Sequence, residues 1–248
     1  MSIAKRILYR LRDRKAPGYG RLRQLFRNQS GLEIGGPSRI FQNREFLPLY
    51  NEIKALDGCN FSGHTIWEGQ LKEGETYQFG KRTGFQHLCE ATDLDRIPSS
   101  KYDFVISSNC LEHVANPLKA IKEWARVIKE KGIFLVVVPN KDYCFDHKRS
   151  VTTFSHLLED FKSDTQEDDM THLAEILELH DLSMDKPAGT KEQFEVRSKN
   201  NFENRALHHH VFDSHLLKEI FGYFQIEVLY AHSRENHSIL GRKSAVAQ

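Results

Sequence analysis

The chain has 248 residues, 39% of them hydrophobic, with 35 Lys/Arg against 34 Asp/Glu and a formal net charge of +1 at pH 7. That length suits one large α/β domain with a substantial core and argues against two full domains. The near-neutral balance removes any overall electrostatic case for nucleic acid or a membrane surface, and no stretch approaches the ~20 apolar residues of a membrane span.

Charge is unevenly spread. Residues 1–28 carry nine Lys/Arg against Asp13, and residues 159–185 carry ten Asp/Glu against Lys162. Each reads as a solvated face; the basic arm is also a candidate contact for the acidic segment, for an anionic partner or for a second copy in a homodimer. Cys59, Cys89, Cys110 and Cys144 form no CxxC pair, and residues 1–14 lack the apolar run of a signal peptide. A cytoplasmic protein with reduced thiols is expected.

In chain order, Ile3, Ile7, Leu8 and Leu11 at helical spacing predict an amphipathic helix ending before Pro17-Gly18, the start of a basic arm over 1–28. Leu32-Glu33-Ile34-Gly35-Gly36-Pro37-Ser38 reads as a buried strand running into a glycine turn, where the backbone can approach a ligand closely. Ile53–Asp57 reads as a second strand, with Asp57 placed to accept from ribose hydroxyls. The polar interval from Gly58 to Gln86 is expected to form part of an acceptor wall. A third strand, His87–Glu90, runs into Ala91-Thr92-Asp93-Leu94, and a fourth, from Tyr102, into Ser107-Ser108-Asn109-Cys110-Leu111-Glu112-His113-Val114. Pro117–Lys129 reads as a helix burying Leu118, Ile121, Trp124, Ala125 and Ile128, and Ile133–Val138 as a buried strand. Residues 141–206 exceed a plain connection and predict an insertion, a lid over the acceptor side, before a helix near Asp213.

Together these segments resemble the S-adenosylmethionine-dependent methyltransferases of the Rossmann-like seven-stranded class, type 11 in particular, from Gly31 to Asn140 and again over His210-Val211-Phe212-Asp213. The resemblance implies a mostly parallel sheet with helices on both faces, an insertion after the fifth strand, and S-adenosylmethionine as cofactor. It implies that Glu33 anchors the methionine end, in part through water, that Gly35, Gly36 and Pro37 lie against the cofactor, and that Glu90, with Asp93 as competitor, accepts from the adenine amino group beside Ala91. Ser108 and Asn109 complete the cofactor set. Glu112-His113 resembles the ExxEH pattern of certain O-methyltransferases, including small-RNA 2′-O-methyltransferases, in which acids and His hold a divalent cation. Asn109 replaces the first acid here, which removes a charged ligand, and no metal is assigned.

The insertion carries Phe145-Asp146-His147-Lys148-Arg149, Thr152-Thr153 and His156-Leu157-Leu158-Glu159-Asp160, similar to bacterial methyltransferases associated with cell-surface glycan or small-molecule biosynthesis. His172 and Glu175 fall at i, i+3 on a predicted helix, and His208 and His210 on one face of a predicted strand. The expected reaction moves a methyl group in line to a hydroxyl oxygen of a sugar or glycan precursor. His113 and His147, then His210, are the candidate catalytic bases, and Asp146, Arg149, His208 and His209 the candidate substrate contacts. Nucleic acid is not the expected partner. The rival readings are an RNA O-methyltransferase, suggested by the basic arm, and a catalytically silent methyltransferase-like interaction protein.

Overall fold

The computed structural model describes residues 15–244, so the helix expected over residues 1–14 lies outside the described residues. Helix α1 (Tyr19–Phe26) leads into β1 (Ser30–Ile34) and β2 (Ala55–Asn60). A small hairpin of β3 (His64–Thr65) and β4 (Gly69–Gln70) precedes β5 (Gly74–Phe79), β6 (Arg82–Leu88) and β7 (Tyr102–Ser108). Helix α2 (Pro117–Val127) then runs straight into β8 (Ile128–Pro139). Residues beyond Asn140 hold α3 (Phe154–Lys162), α4 (Leu173–Leu179), α5 (Lys191–Lys199) and α6 (Asn201–Asn204); α7 (Ser214–Tyr223), β9 (Ile226–Ser233) and β10 (Asn236–Lys243) close the described chain.

The strands form one sheet in the order β5-β6-β2-β1-β7-β8-β10-β9. The pairings of β6, β2, β1, β7 and β8 are parallel, while β5 and β10 run antiparallel to their neighbours. This is the expected mostly parallel Rossmann-like sheet with an eighth strand added. The extra strand β5 joins β6 through a two-residue turn at Gly80-Lys81, where Gly80 has φ 63°. Its pairing draws the third strand back to Arg82–Leu88, ahead of the expected His87–Glu90.

Alternation along β8 divides the core. Phe134, Val136 and Val138 face α2 and α7, packed with Leu118, Ile121, Trp124, Leu217, Ile220 and Phe221. Ile133, Leu135 and Val137 face the other layer, made by α1 through Tyr19, Leu22 and Phe26 and by the loop carrying Phe41, Leu49 and Tyr50. Each such side chain buried contributes roughly 1.5–3 kcal/mol. Caps set the helix starts: Asn116 accepts from Lys119 N before Pro117, and Asp213 accepts from His215 N and Leu216 N. Helix α2 stops at Val127, short of the expected Lys129, because Ile128 already pairs with Tyr102 while Ile133 pairs with Phe104, which leaves residues 129–132 as a bulge.

The described part of the basic arm does not meet the acidic segment. Arg23 pairs with Glu52, whereas Asp164 pairs with Lys119 and Asp185 with Arg197. A small separate core of Ile176, Ala188, Phe194 and Leu207 holds residues 141–213 together. Among the described residues no helix is long and apolar enough to cross a membrane.

Candidate active site

A cavity of about 1950 Å³ opens at the carboxyl ends of β1, β2, β6 and β7, where open α/β sheets place ligands. Its floor is the glycine turn. Gly35 sits at φ +75°, donates its N–H to Cys59 O at 2.9 Å, and would carry a Cβ only 2.7 Å from Cys110. A side chain there would fill the cradle, as a ligand-facing backbone requires. Pro37 and Ser38 continue the lining; Gly36 does not reach it, because it packs over the Glu33 carboxyl and Tyr77.

Glu33 lies beneath this floor, fully buried. Its Oε1 accepts from Ser38 N at 2.9 Å, and its Oε2 accepts from Tyr50 and Tyr77 hydroxyls at 2.8 and 2.7 Å. Burial raises its carboxyl pKa, opposed by the Ser38, Tyr77 and Tyr50 hydrogen bonds. The structure therefore places Glu33 as a bracket that closes the 33–38 turn from below and outside the cavity lining, where the resemblance implied an anchor for the methionine end acting in part through water.

Asp57 is also elsewhere. It lies mid-strand, its Oδ1 accepting from Phe85 N at 3.0 Å and its Oδ2 from Tyr102 hydroxyl at 2.7 Å and Lys101 at 3.2 Å. Strand β2 runs three residues beyond it, so Asn60 and Phe61 occupy the strand end that lines the cavity. Asn60 Nδ2 donates to Gly36 O at 2.9 Å, tying the second strand to the glycine turn. The sequence signal was the strand boundary, which the buried Leu56-x-x-Cys59 run carries past Asp57.

Glu90 and Ala91 line the cavity as expected, while Asp93 stays outside, its Oδ1 capping Asp95 N. Ala91 O accepts from Trp124 Nε1 at 2.9 Å, which holds the loop on α2. Glu90 meets a partner that sequence reasoning missed: Arg205, 115 residues away, whose guanidinium reaches Glu90 Oε1 at 2.6 Å. Arg205 also lies over the Phe61 and Phe202 rings, at 5.1 and 4.8 Å. It ties residues 141–213 to the cofactor side of the cavity.

The opposite wall holds Ser108, Asn109, Glu112, His113 and His208. Both Glu112 oxygens are buried without a hydrogen-bond partner, and burial pushes its carboxyl up to about 7. His113 Nδ1 donates to Leu207 O at 3.0 Å; its burial lowers its pKa well below the usual imidazole value. His208 Nδ1 is held by Asp146 Oδ2, and although burial works against the imidazolium, Asp146 reverses this and raises the pKa. Burial opposes Asp146 as well, yet His208 and then Arg149 hold its carboxyl at about 2. With both Nδ1 atoms engaged, the free lone pair of each neutral imidazole is on Nε2. One ligand atom from each of Glu112, His113 and His208 lies within 4.8 Å of the others, so this trio could hold a divalent cation or an acceptor hydroxyl. Trp67, on the β3–β4 hairpin and half exposed, packs edge-on to His113 at 5.0 Å and supplies the wall expected from the 58–86 interval.

The other candidates lie apart from the cavity. His147 is on the surface side, its Nε2 2.9 Å from Asp181 Oδ2. His210 is buried behind the wall, bonded through Nε2 to Ala115 O at 3.1 Å, and sits in an irregular segment where a strand was expected. His209 pairs with Asn201 at 3.1 Å. Arg149, 2% exposed, donates to His208 O at 2.7 Å and His209 O at 3.1 Å. It shapes the backbone that presents His208. Asp146 acts through His208 in the same way, so neither His147, His209, His210, Arg149 nor Asp146 faces the main cavity.

The cavity's cradle, with a bare glycine backbone facing carboxylate and amide side chains on successive strand ends, fits a nucleoside with a cationic sulfonium and amino group. Residues 50–136 match the family model described as a methyltransferase domain. A comparison with curated protein sequences finds no match. Among solved structures, an S-adenosylmethionine-dependent methyltransferase from Methanosarcina mazei is 14% identical, with 90% of this chain and 96% of that one covered, at a TM-score of 0.50. A Rhodobacter sphaeroides protein, provisionally described as a Zn-dependent alcohol dehydrogenase, is 10% identical over 94% and 92% of the two chains, at 0.54. An Aquifex aeolicus S-adenosylmethionine-dependent methyltransferase is 11% identical over 91% and 88%, at 0.42. At these identities the first two likenesses establish the fold alone.

Proposed function

We propose that the protein is an S-adenosylmethionine-dependent methyltransferase that acts in the cytoplasm on a hydroxyl oxygen of a small polar acceptor, a sugar or glycan precursor. The observation that carries this reading is the meeting of two half-sites in one cavity: the Gly35–Asn60–Glu90 floor and the wall carrying His208, which Asp146 backs from outside the cavity. The methyltransferase-domain match over residues 50–136 supports the floor half, and the four free cysteines support a reducing compartment.

Bound on the floor, the cofactor supplies a methyl group on a sulfonium centre. The Gly35–Ser38 backbone would hold its methionine end, Asn60 its ribose and Glu90 with Ala91 its adenine. On the wall, His208 takes the proton from the acceptor hydroxyl, because Asp146 behind its Nδ1 stabilises the imidazolium that forms. His113 has only the Leu207 carbonyl behind it and positions the acceptor. Residues 141–213 act as the lid, with Arg205 as the latch onto Glu90, and exclude water from the transfer. A general base contributes typically 10²–10⁴-fold.

The test is calorimetric titration with S-adenosylmethionine and S-adenosylhomocysteine, followed by transfer of labelled methyl to sugar and nucleotide-sugar pools. Micromolar binding, with label in an alkali-stable ether and a drop of about 10²-fold or more in turnover for His208→Gln, is the expected outcome. No heat with either ligand refutes the cofactor; label in an ester or amine refutes the hydroxyl acceptor.

A further inference from the structure

Behind the cavity wall, three imidazoles from three separate segments converge: His156 on α3, His172 at the start of α4, and His210 in the segment before α7. One ligand atom from each lies within 4.8 Å of the other two, and the ring centroids are 4.9, 5.3 and 5.7 Å apart. Nε2 of His156 is 3.0 Å from Nε2 of His172 and 3.4 Å from Asp160 Oδ2, one turn further along α3. Asp160 Oδ2 is also 3.7 Å from His210 Nε2. We propose that His156, Asp160, His172 and His210 form a metal site for a tetrahedral divalent ion of the zinc class.

Hydrogen bonding alone leaves this cluster unsatisfied. Two Nε2 atoms 3.0 Å apart share one proton, so one imidazole spends its donor on the other. Asp160 Oδ2 is buried and accepts no hydrogen bond, and His210 Nδ1 is buried with no partner while its Nε2 is engaged by Ala115 O. Two buried unpaired polar atoms cost about 1–3 kcal/mol each, and a cation bound by Asp160 Oδ2 and His210 Nδ1 satisfies both. The spacing also suits one: nitrogen and oxygen ligands at about 2.0–2.2 Å from zinc stand about 3.4 Å apart at the edges of a tetrahedron, against 3.0 and 3.4 Å here. The Ala115 carbonyl on His210 is the kind of outer partner that orients a ligating imidazole. Three neutral imidazoles and one carboxylate leave a +1 site, and Asp169 and Glu175 stand nearby, Glu175 3.8 Å from His172 Nδ1.

The site is distinct from Glu112, His113 and His208. None of His156, Asp160 or His172 lines the main cavity. Its ligands come from α3, from the α4 start and from the strap two residues beyond His208, so a bound ion ties the strap to two helices of the insertion and holds His208 in place.

The experiment uses the full chain. Wild type is stripped with a strong chelator, dialysed, and titrated with Zn²⁺ alone, with bound metal counted by elemental analysis and unfolding followed by circular dichroism. The expected result is uptake of one Zn²⁺ per chain at micromolar concentration or below, a melting temperature higher by ~5 °C or more when loaded, and about 100-fold weaker uptake in His172→Gln and Asp160→Asn. Glu112→Gln and the surface control His215→Asn are expected to keep the full equivalent. No uptake by stripped wild type overturns the proposal, as does uptake that survives His172→Gln or disappears in Glu112→Gln. Should the ligand variants fail to fold, Co²⁺ loaded into wild type decides: intense tetrahedral visible bands that Zn²⁺ displaces uphold the site, and a weak octahedral spectrum overturns it.

Discussion

Replacing Glu33 separates a contact with the cofactor from a bracket beneath it. In Glu33→Gln the side chain keeps one acceptor oxygen, but its amide nitrogen now faces donors. Ser38 N, Tyr50 hydroxyl and Tyr77 hydroxyl all point at this carboxylate, and both tyrosines are buried. At least one buried donor loses its acceptor, at about 1–3 kcal/mol, which for a chain of this length lowers the melting temperature by roughly 2–4 °C per kcal/mol. A fall of about 2–12 °C is therefore expected, with cofactor affinity falling no more than a few-fold. The coupling is readable: Tyr77→Phe removes a donor from the same carboxylate, so the Glu33→Gln and Tyr77→Phe effects on unfolding free energy should be non-additive by about 0.5–2 kcal/mol in a double-mutant cycle. The assays are denaturant unfolding of the four proteins and calorimetric titration with S-adenosylhomocysteine. A Glu33→Gln protein that melts with wild type yet binds more than tenfold more weakly would refute the bracket, since that pattern belongs to a side chain touching the ligand.

Three further outcomes follow from the same geometry. Asp57→Ala should leave cofactor affinity within about twofold while lowering unfolding free energy by about 1–2 kcal/mol through the lost Phe85 N and Tyr102 bonds; a tenfold affinity loss at unchanged stability would restore it to the ribose. Glu167 carries a carboxyl pushed to about 7, by burial first, with Arg205 opposing and Glu90 adding. The folded chain thus keeps a proton that the unfolded chain releases from about pH 4.5, so stability from this group falls as pH rises through the window from about 4.5 to 7. The wild-type deficit relative to Glu167→Gln should grow across that window by on the order of 3 kcal/mol, and a flat difference in pH-dependent unfolding would contradict the placement. Cys89 Sγ lies 3.4 Å from Cys59 Sγ on the cavity floor, and the Cys59 hydrogen bond lowers its pKa, whereas burial raises that of Cys144 to about 11. Alkylation followed by peptide mass mapping should modify Cys89 before Cys144, and saturating cofactor should protect Cys89 alone; equal rates would refute the assignment.

Pattern carried most of the frame. The apolar runs at Leu32–Ile34, Phe104–Ile106 and Ile133–Val138 and the Gly35 turn after the first of them are local features, written in hydrophobic period and backbone permissiveness, and the three runs took their places as strands of the sheet. Strand β5 was present only as Tyr77 and Phe79 alternating before Gly80, a signal too short to stand alone. The site was legible to the extent that a residue's role depends on its position at a strand end: Gly35, Glu90, Ala91, Ser108 and Asn109 line the cavity on those grounds. Which way an acid faces is a different matter. Glu33 and Asp57 turned inward because tyrosine hydroxyls from β5, β7 and the loop before β2 came to them across the fold, and no spacing along the chain encodes such meetings. The thirteen histidines made the same point from the other side: composition announced them, but only the path of residues 141–213 sorted His208 onto the cavity with Asp146 behind it, sent His147 toward the surface with Asp181, and gathered His156, His172 and His210 into one cluster. Secondary structure is set by neighbours in sequence; polar sites are set by which distant donors and acceptors the packed core forces together.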